Sequence, residues 1–118
     1  MLHVIFSTKY KVPFIDDLLE QKLYAQIKKE LEKQKCTPII INGTSDHVHI
    51  LYHQNMEISI SNTIKQLKGV SSFWVNNVYK YPSNFQWQRG YGVFSVSKSH
   101  LKTVYDYIES QKNHHKLN

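Results

Sequence analysis

Two histidines separated by one residue, His47 and His49, are the side chains best suited to chemistry in this sequence. They begin the run His-Val-His-Ile-Leu-Tyr-His, whose alternation predicts a half-buried β-strand. Side chains two positions apart share one face of a strand, about 7 Å from each other, so two imidazoles could bind one divalent ion. Asp46 could orient one ring through a hydrogen bond. The alternative is a pair of half-exposed strand histidines without a metal.

A second candidate group lies near the C-terminus, where Tyr107 and Gln111 are four residues apart. Helical spacing predicts a helix from His100 to about His115 with one buried stripe, formed by Leu101, Val104, Tyr105 and Ile108. Tyr107 and Gln111 would lie together on the flank of that stripe. A phenol and an amide oxygen could then face the same point. The alternative is a tyrosine at the edge of the core and a solvated glutamine.

Other segments predict the elements that must position these residues. Strand and helix patterns occur in the order β-α-β-β-α-β, followed by the last helix. The segments are a strand from His3 to Thr8, a helix after an Asp16 cap, a strand from Thr37 to Ile41, a helix capped by Ser59 or Ser61, and a long or bulged strand from Phe85 to Val96. The Asn42-Gly43 pair predicts the hairpin turn into the histidine strand.

This order predicts an α+β fold of the ferredoxin-like split βαβ type, with helices packed on one face of an antiparallel sheet. The opposite face would be left for a site. On the histidine strand, alternation predicts which side chains face each way. The core should receive Val48, Ile50 and Tyr52, and the outer face should carry His47, His49, Leu51 and His53.

Composition favours a polyanionic partner. The 118 residues are enough for one domain, and 15 basic against 9 acidic residues give a net charge of +6. Aromatic residues make up 13% of the chain, and exposed rings beside cationic chains suit unstacked bases. The candidates for contacts with nucleic acid are Lys9, Tyr10, Lys11, Lys65, Lys68 and Arg89.

The lone Cys36 excludes a disulfide within the chain and fits a reducing cytoplasm. We expect no membrane segment, because no apolar run approaches the roughly 18 residues of a span. We expect no secretion signal, because His3, Ser7 and Lys9 interrupt the apolar residues of the N-terminus. A Gly-Lys-Ser/Thr phosphate loop is not found, so we expect no nucleotide cofactor.

Four segments together resemble the single-tyrosine HUH transposases of insertion-sequence-200-type elements. They are Phe6–Lys11, Asp46–Leu51, Trp87–Ser97 and Tyr107–His115, and the resemblance covers nearly the whole chain as one domain, residues 1–118. One departure is Lys11, which stands where the family pattern leads us to expect arginine.

The resemblance implies a role for each candidate. His47, His49 and Gln111 match the ligands of a divalent ion, Mg²⁺ or Mn²⁺, and Tyr107 matches the nucleophile that forms a covalent tyrosyl-DNA link. It further implies single-stranded DNA hairpins at the ends of a mobile element as substrates, in a prokaryotic cytoplasm. The family also suggests a homodimer whose composite sites join His47 and His49 of one chain to Tyr107 of the other.

Three other functions remain open from the sequence. A replication-initiator, relaxase-like or domesticated HUH nickase would use the same tyrosine chemistry, but the first two usually carry a further domain. A non-catalytic module for single-stranded nucleic acid would need aromatic residues on the central strands of its sheet. A zinc hydrolase is disfavoured, because the chain has neither clustered cysteines nor a His-Glu-x-x-His helix.

Overall fold

A computed structural model of the protein describes residues 1–79 and 84–112. The elements follow the predicted order: β1 (Leu2–Ser7), α1 (Asp17–Lys33), β2 (Thr37–Gly43), β3 (His47–His53), α2 (Ile60–Trp74), β4 (Gly92–Ser95) and α3 (Leu101–Glu109). A π-helical turn, Val75–Tyr79, continues α2, and 3-10 turns at Lys9–Lys11 and Lys98–His100 follow β1 and precede α3. The predicted end of the last helix, from residue 113 to His115, lies outside the described residues.

Side-chain caps begin the first two helices. The carboxylate of Asp16 accepts a hydrogen bond from the backbone N–H of Leu19 at 2.8 Å, and the hydroxyl of Ser59 accepts one from Asn62 at 3.2 Å. Each cap satisfies an N–H group that has no partner inside its own helix. The predicted caps are therefore confirmed, with Ser59 the one used of the two serines.

The four strands form one antiparallel sheet in the order β2-β3-β1-β4. In this order β3 lies between β1 and β2, although α1 connects those two strands in sequence. This is the topology of the ferredoxin-like split βαβ plan. The predicted fold class is confirmed.

The main core lies between the sheet and the helices α1 and α2. Alternate side chains of β1 and β3 meet one stripe of each helix, and the buried cluster includes Val4, Phe6, Val48, Ile50, Tyr52, Leu19, Leu23, Ile27, Ile64 and Leu67. On the other face, α3 packs over β2 and β3. Leu51, expected on the outer face, is consequently fully buried.

The turn between β2 and β3 lies later than predicted. Asn42 and Gly43 are still paired with β3, and the chain reverses over residues 44–46. A β-carbon on Gly43 would lie 2.1 Å from the carbonyl oxygen of His47, so the glycine is required by a close backbone approach. The Asn-Gly pair therefore marks tight strand packing here instead of the turn itself.

The last strand is shorter than predicted. Of the segment from Phe85 to Val96, only Gly92–Ser95 forms β4, and Trp87 makes one isolated bridge to Thr8. The predicted bend is present at Gly90, whose φ of +84° lies in the left-handed region that glycine adopts without strain. Residues 88–91 thus lie outside the regular strand, although the backbone N–H of Gln88 still donates to the carbonyl oxygen of Ser7 in β1 at 2.7 Å. Among the described residues, no helix is long and apolar enough to cross a membrane.

Two glycine substitutions should have opposite effects on stability. Gly43→Ala should lower the free energy of unfolding by about 1–3 kcal/mol, because the added methyl group collides with the backbone of His47. Gly69→Ala should raise it by about 0.5–1 kcal/mol, because that glycine is exposed within α2 and a β-carbon there meets no atom within 4 Å. Denaturant unfolding measures both, and equal stabilities would contradict the close approach at Gly43.

Candidate active site

His47 is held by the turn that precedes β3. Its Nδ1 lies 2.8 Å from Oδ1 of Asp46 and 2.8 Å from the hydroxyl oxygen of Thr44. The Asp46 carboxylate thus occupies the orienting position expected from the sequence. Since Nδ1 is engaged in this way, Nε2 is the ring nitrogen that could bind a metal.

His49 is more enclosed than its strand position predicted. It shares a face with His47, but it is only 3% exposed because β1 and α3 cover it. Its Nδ1 lies 2.9 Å from Nε2 of His3, and the two rings are stacked with centroids 5.1 Å apart. Burial lowers the pKa of His3, which favours its neutral form.

Sequence reasoning missed His3 as a residue of this site. The signal was present in the alternation of β1, where His3, Ile5 and Ser7 share a face. This alternation identifies His3 as a neighbour of His49 only when the pairing of β1 with β3 is known, because that pairing places Ile5 opposite His49.

Tyr107 lies over the same histidines. Its ring centroid is 5.7 Å from that of His49 and 6.4 Å from that of His3, and the side chain is 47% exposed. Tyr105, expected in the middle of a buried stripe, is only half-buried. Of that stripe Ile108 alone is fully buried, because α3 covers just part of this face of the sheet.

Gln111 is buried, with 2% of its surface exposed, just beyond the end of α3. Its side-chain amide nitrogen donates to the backbone carbonyl of Tyr107 at 3.4 Å. The amide oxygen is therefore the atom that could serve as a metal ligand. The predicted solvated alternative for this glutamine is excluded by its burial.

The end of α3 is fastened to β2 by Asn42. Its side-chain nitrogen donates to the carbonyl oxygens of Ile108 and Glu109 at 2.9 and 3.1 Å. Lys112 donates in turn to Asn42 at 2.7 Å and forms an ion pair with Glu20 of α1. Because Asn42 is paired with His49 across the sheet, these contacts hold α3 over the histidines.

The donor set fits a divalent cation in part. The centroids of His47 and His49 are 5.1 Å apart, and imidazoles that bind one ion at about 2.1 Å have a similar separation. Among residues 1–79 and 84–112, no three His, Cys, Asp or Glu side chains form a metal-binding group. The candidate for a third ligand remains the amide oxygen of Gln111. Two nitrogens and one amide oxygen suit Mn²⁺ better than Mg²⁺, which prefers oxygen.

Comparison with known families decides which family this fold belongs to. The family model described as "Transposase IS200 like" matches residues 1–111. This chain belongs to the IS200-like transposases. The match contains the site residues from His3 to Gln111, and the resemblance seen in the sequence is confirmed.

Individual relatives agree with this assignment. The transposase of insertion sequence element IS200 from Salmonella typhimurium is 27% identical and aligns with 98% of this chain and 78% of its own. A crystal structure from Deinococcus radiodurans, of a protein assigned as a transposase, superposes with a TM-score of 0.72 at 25% identity, over 93% of this chain and 88% of that one. A REP-associated tyrosine transposase bound to a REP hairpin superposes with a TM-score of 0.74 at 13% identity, over 97% and 67%.

The transposase carries a basic groove between α2 and residues 85–91. Its volume is about 790 Å³, and its lining includes four of the six residues predicted to contact nucleic acid: Lys9, Lys65, Lys68 and Arg89. Trp87 and Tyr91 supply aromatic surface in the same groove. Tyr10 and Lys11 lie outside it, in the adjacent 3-10 turn, where Tyr10 is 81% exposed.

Lys68 differs from the other basic residues of this groove. Its ammonium group donates to the carbonyl oxygen of Gln88 at 2.8 Å and to that of Gly90, and it lies over the ring of Phe6. Burial lowers the pKa of Lys68. Lys68 therefore holds residues 88–91 in place, a structural task that its position in the sequence did not reveal.

The same segment joins the groove to the face that carries the histidines. Arg89 and Tyr91 line both the groove and a second cavity of about 300 Å³, which Ile5 and Ser7 also line. Ser7 is paired with His47 in the sheet. A strand of nucleic acid could therefore pass from the groove to the candidate active site along residues 88–91.

We expect Lys68→Met to loosen residues 88–91 without unfolding the protein. Loss of hydrogen bonds from a charged donor, worth about 1.5 kcal/mol or more, should raise amide hydrogen exchange in this segment about tenfold. Lys65→Met is the matched control, because Lys65 lies three residues earlier on the same groove and is exposed. Similar exchange in the two variants would show that Lys68 does not hold the segment.

Proposed function

We propose that this transposase cleaves and rejoins single-stranded DNA through a covalent link between Tyr107 and the DNA backbone. The observation that supports it most is the contact between the rings of Tyr107 and His49, 58 residues apart in sequence and 5.7 Å apart in the fold. A candidate nucleophile whose side chain is accessible thereby lies beside a candidate metal ligand that is buried.

The reaction exchanges one phosphodiester bond for another. The phenolic oxygen of Tyr107 forms a bond to phosphorus, and the bond from phosphorus to one sugar oxygen breaks. That oxygen leaves as a hydroxyl group and takes up a proton, while the phenol loses one. Because the link to Tyr107 keeps the energy of the broken bond, a DNA hydroxyl can reverse the reaction and join strands without a nucleotide cofactor.

His47, His49 and the amide oxygen of Gln111 would hold a divalent ion, Mn²⁺ or Mg²⁺. When bound, such an ion would withdraw charge from the scissile phosphate and favour the phenolate. Asp46 and Thr44 orient the ring of His47 for this role. Asn42 positions α3, and with it Tyr107, over the histidines.

The basic groove supports single-stranded DNA as the substrate. Lys9, Lys65 and Arg89 can contact phosphates, and the exposed ring of Tyr10 can stack on an unpaired base, with Lys11 beside it. We further propose hairpins at the ends of a mobile element, since a structural relative was solved with a REP hairpin.

We also propose a homodimer. Leu101, Val104 and Tyr105 of α3 remain half-exposed, and only Ile108 is buried. An apolar helix face that is covered incompletely within one chain is what a helix at a subunit interface would present. Within the single chain Tyr107 lies against its own His49. From the family resemblance we propose that the dimer exchanges this helix, so that Tyr107 lies against the histidines of the other chain.

The nucleophile can be tested with two neighbouring tyrosines. Tyr107→Phe keeps the ring and removes the attacking oxygen, so the adduct with a labelled hairpin strand, resistant to denaturation, should disappear while DNA binding remains. Tyr105→Phe is the matched control on the same helix and should form the adduct within a few-fold of wild type.

A fully paired linear duplex should form little adduct with the wild-type protein. Persistence of the adduct in Tyr107→Phe would exclude Tyr107 as the nucleophile. DNA binding by the wild type without any adduct, in the presence of Mn²⁺ or Mg²⁺, would favour a non-catalytic binding module.

The metal site can be tested with His47→Ala. Loss of an outer partner of a ligand costs about 10–100-fold in metal affinity, and loss of the ligand itself should cost at least as much. We therefore expect Mn²⁺ binding and cleavage to be lost with little change in Tm, because His47 is the first residue of β3, beside a turn, and its side chain is partly exposed. His53→Ala, at the exposed end of the same strand, should change neither, and metal-dependent cleavage by His47→Ala would place the site elsewhere.

Mixed dimers can show which subunit supplies Tyr107. Tyr107→Phe and His47→Ala should each be inactive alone. We expect partial activity when the two exchange subunits, because one of the two sites then combines an intact histidine pair with an intact Tyr107 of the other chain. The formation of mixed dimers is checked by mass spectrometry. If cleavage activity does not return although mixed dimers are present, each site is built within one chain.

A further inference from the structure

We propose that His3 is a positioning residue for His49, accepting a hydrogen bond from Nδ1–H of His49 and so reserving Nε2 of His49 for a metal ion. The inference rests on the proposed function, because it takes His49 to be a metal ligand. His3 itself would touch neither the ion nor the DNA.

The geometry of the pair supports this role. Nε2 of His3 lies 2.9 Å from Nδ1 of His49, and the rings are stacked with an interplanar angle of 25°. Both side chains are buried, at 8% and 3% exposure. Adjacent strands carry them, so the sheet fixes their separation. Phe94 and Tyr107 pack against the ring of His3, with centroids at 5.9 and 6.4 Å, and restrict its rotation.

The proton between the two rings decides whether His49 can be a ligand. If His3 donated, Nδ1 of His49 would be the acceptor and Nε2 of a neutral His49 would carry the proton. A protonated nitrogen cannot bind a metal ion. If His49 donates, Nε2 keeps its lone pair. Metal binding through Nε2 therefore requires His3 to be the acceptor.

The two histidines of β3 would then have partners suited to their surroundings. His47 lies at a partly exposed turn, where the negative carboxylate of Asp46 remains partly hydrated. His49 is enclosed, and a carboxylate at the position of His3 would place a charge in a nearly water-free contact. A neutral imidazole accepts the same hydrogen bond without that cost. We therefore infer that the difference in burial explains why His47 is paired with a carboxylate and His49 with an imidazole.

The tautomer of His49 can be measured in the metal-free protein. Above about pH 8, where ordinary imidazoles are neutral, long-range ¹H–¹⁵N spectra should show His49 protonated at Nδ1. His3→Phe keeps a ring in place but removes the acceptor, and the Nε2–H form of His49 should then appear. His53→Phe, a change at the exposed end of the same strand, should leave His49 as in wild type. A wild-type His49 protonated at Nε2 would overturn the proposal, whether or not the His3→Phe variant folds.

A titration with Mn²⁺ alone provides the second readout. His3→Phe should weaken Mn²⁺ binding about 10–100-fold, the usual effect of removing the partner of a ligating histidine. His3→Gln, whose amide oxygen can still accept, should lose less, and wild-type affinity in a folded His3→Phe would refute the role of His3. A separate variant, His49→Gln, tests the metal site itself. If His49 is not a ligand, His49→Gln should bind Mn²⁺ with the affinity of the wild type.

Discussion

The pairing of β3 between β1 and β2 is the constraint on which the rest of the structure depends. The apolar side chains of β3 that enter the core set its register, and a slip by one residue would turn both histidines into that core. In the observed register Ile5 of β1 lies opposite His49, which brings His3 beside it. Asn42 of β2 lies opposite His49 on the other side and holds the end of α3. The site is therefore assembled from three strands and one helix by the pairing of a single central strand.

A second dependence runs through residues 88–91, which shape both the basic groove and the edge of the site face. This segment bends at Gly90 and is held by Lys68 from α2 and by the backbone hydrogen bond of Gln88 to Ser7. Because the ammonium group of Lys68 already donates hydrogen bonds to backbone carbonyls, it is less available to contact phosphate. Lys9 and Lys65 line the same groove and are exposed, so they are more available to phosphate. The groove thus combines one lysine that stabilises residues 88–91 with other lysines that can contact phosphate.

Much of this protein could be predicted from its sequence because the signals are local. Alternation from His47 to His53 predicted β3, and the caps Asp16 and Ser59 predicted where helices begin. The order of these elements was enough for the fold class. Spacing of four residues placed Tyr107 and Gln111 on one side of a helix, as candidates for a shared site. The family pattern added their roles, which remain proposals.

Tertiary structure decided everything that depends on pairing across long sequence distances. His3 and His49 are 46 residues apart, and Asn42 and Ile108 are 66 apart, so no local pattern could show their hydrogen bonds. Burial of His49 followed from the helix above it, since a strand pattern reports which face a side chain shares but not what covers that face. Gly43 was read as a turn residue because its local signal is the same as that of a close approach to another strand. Local propensity determines the elements, whereas the register and coverage of the sheet determine which side chains meet.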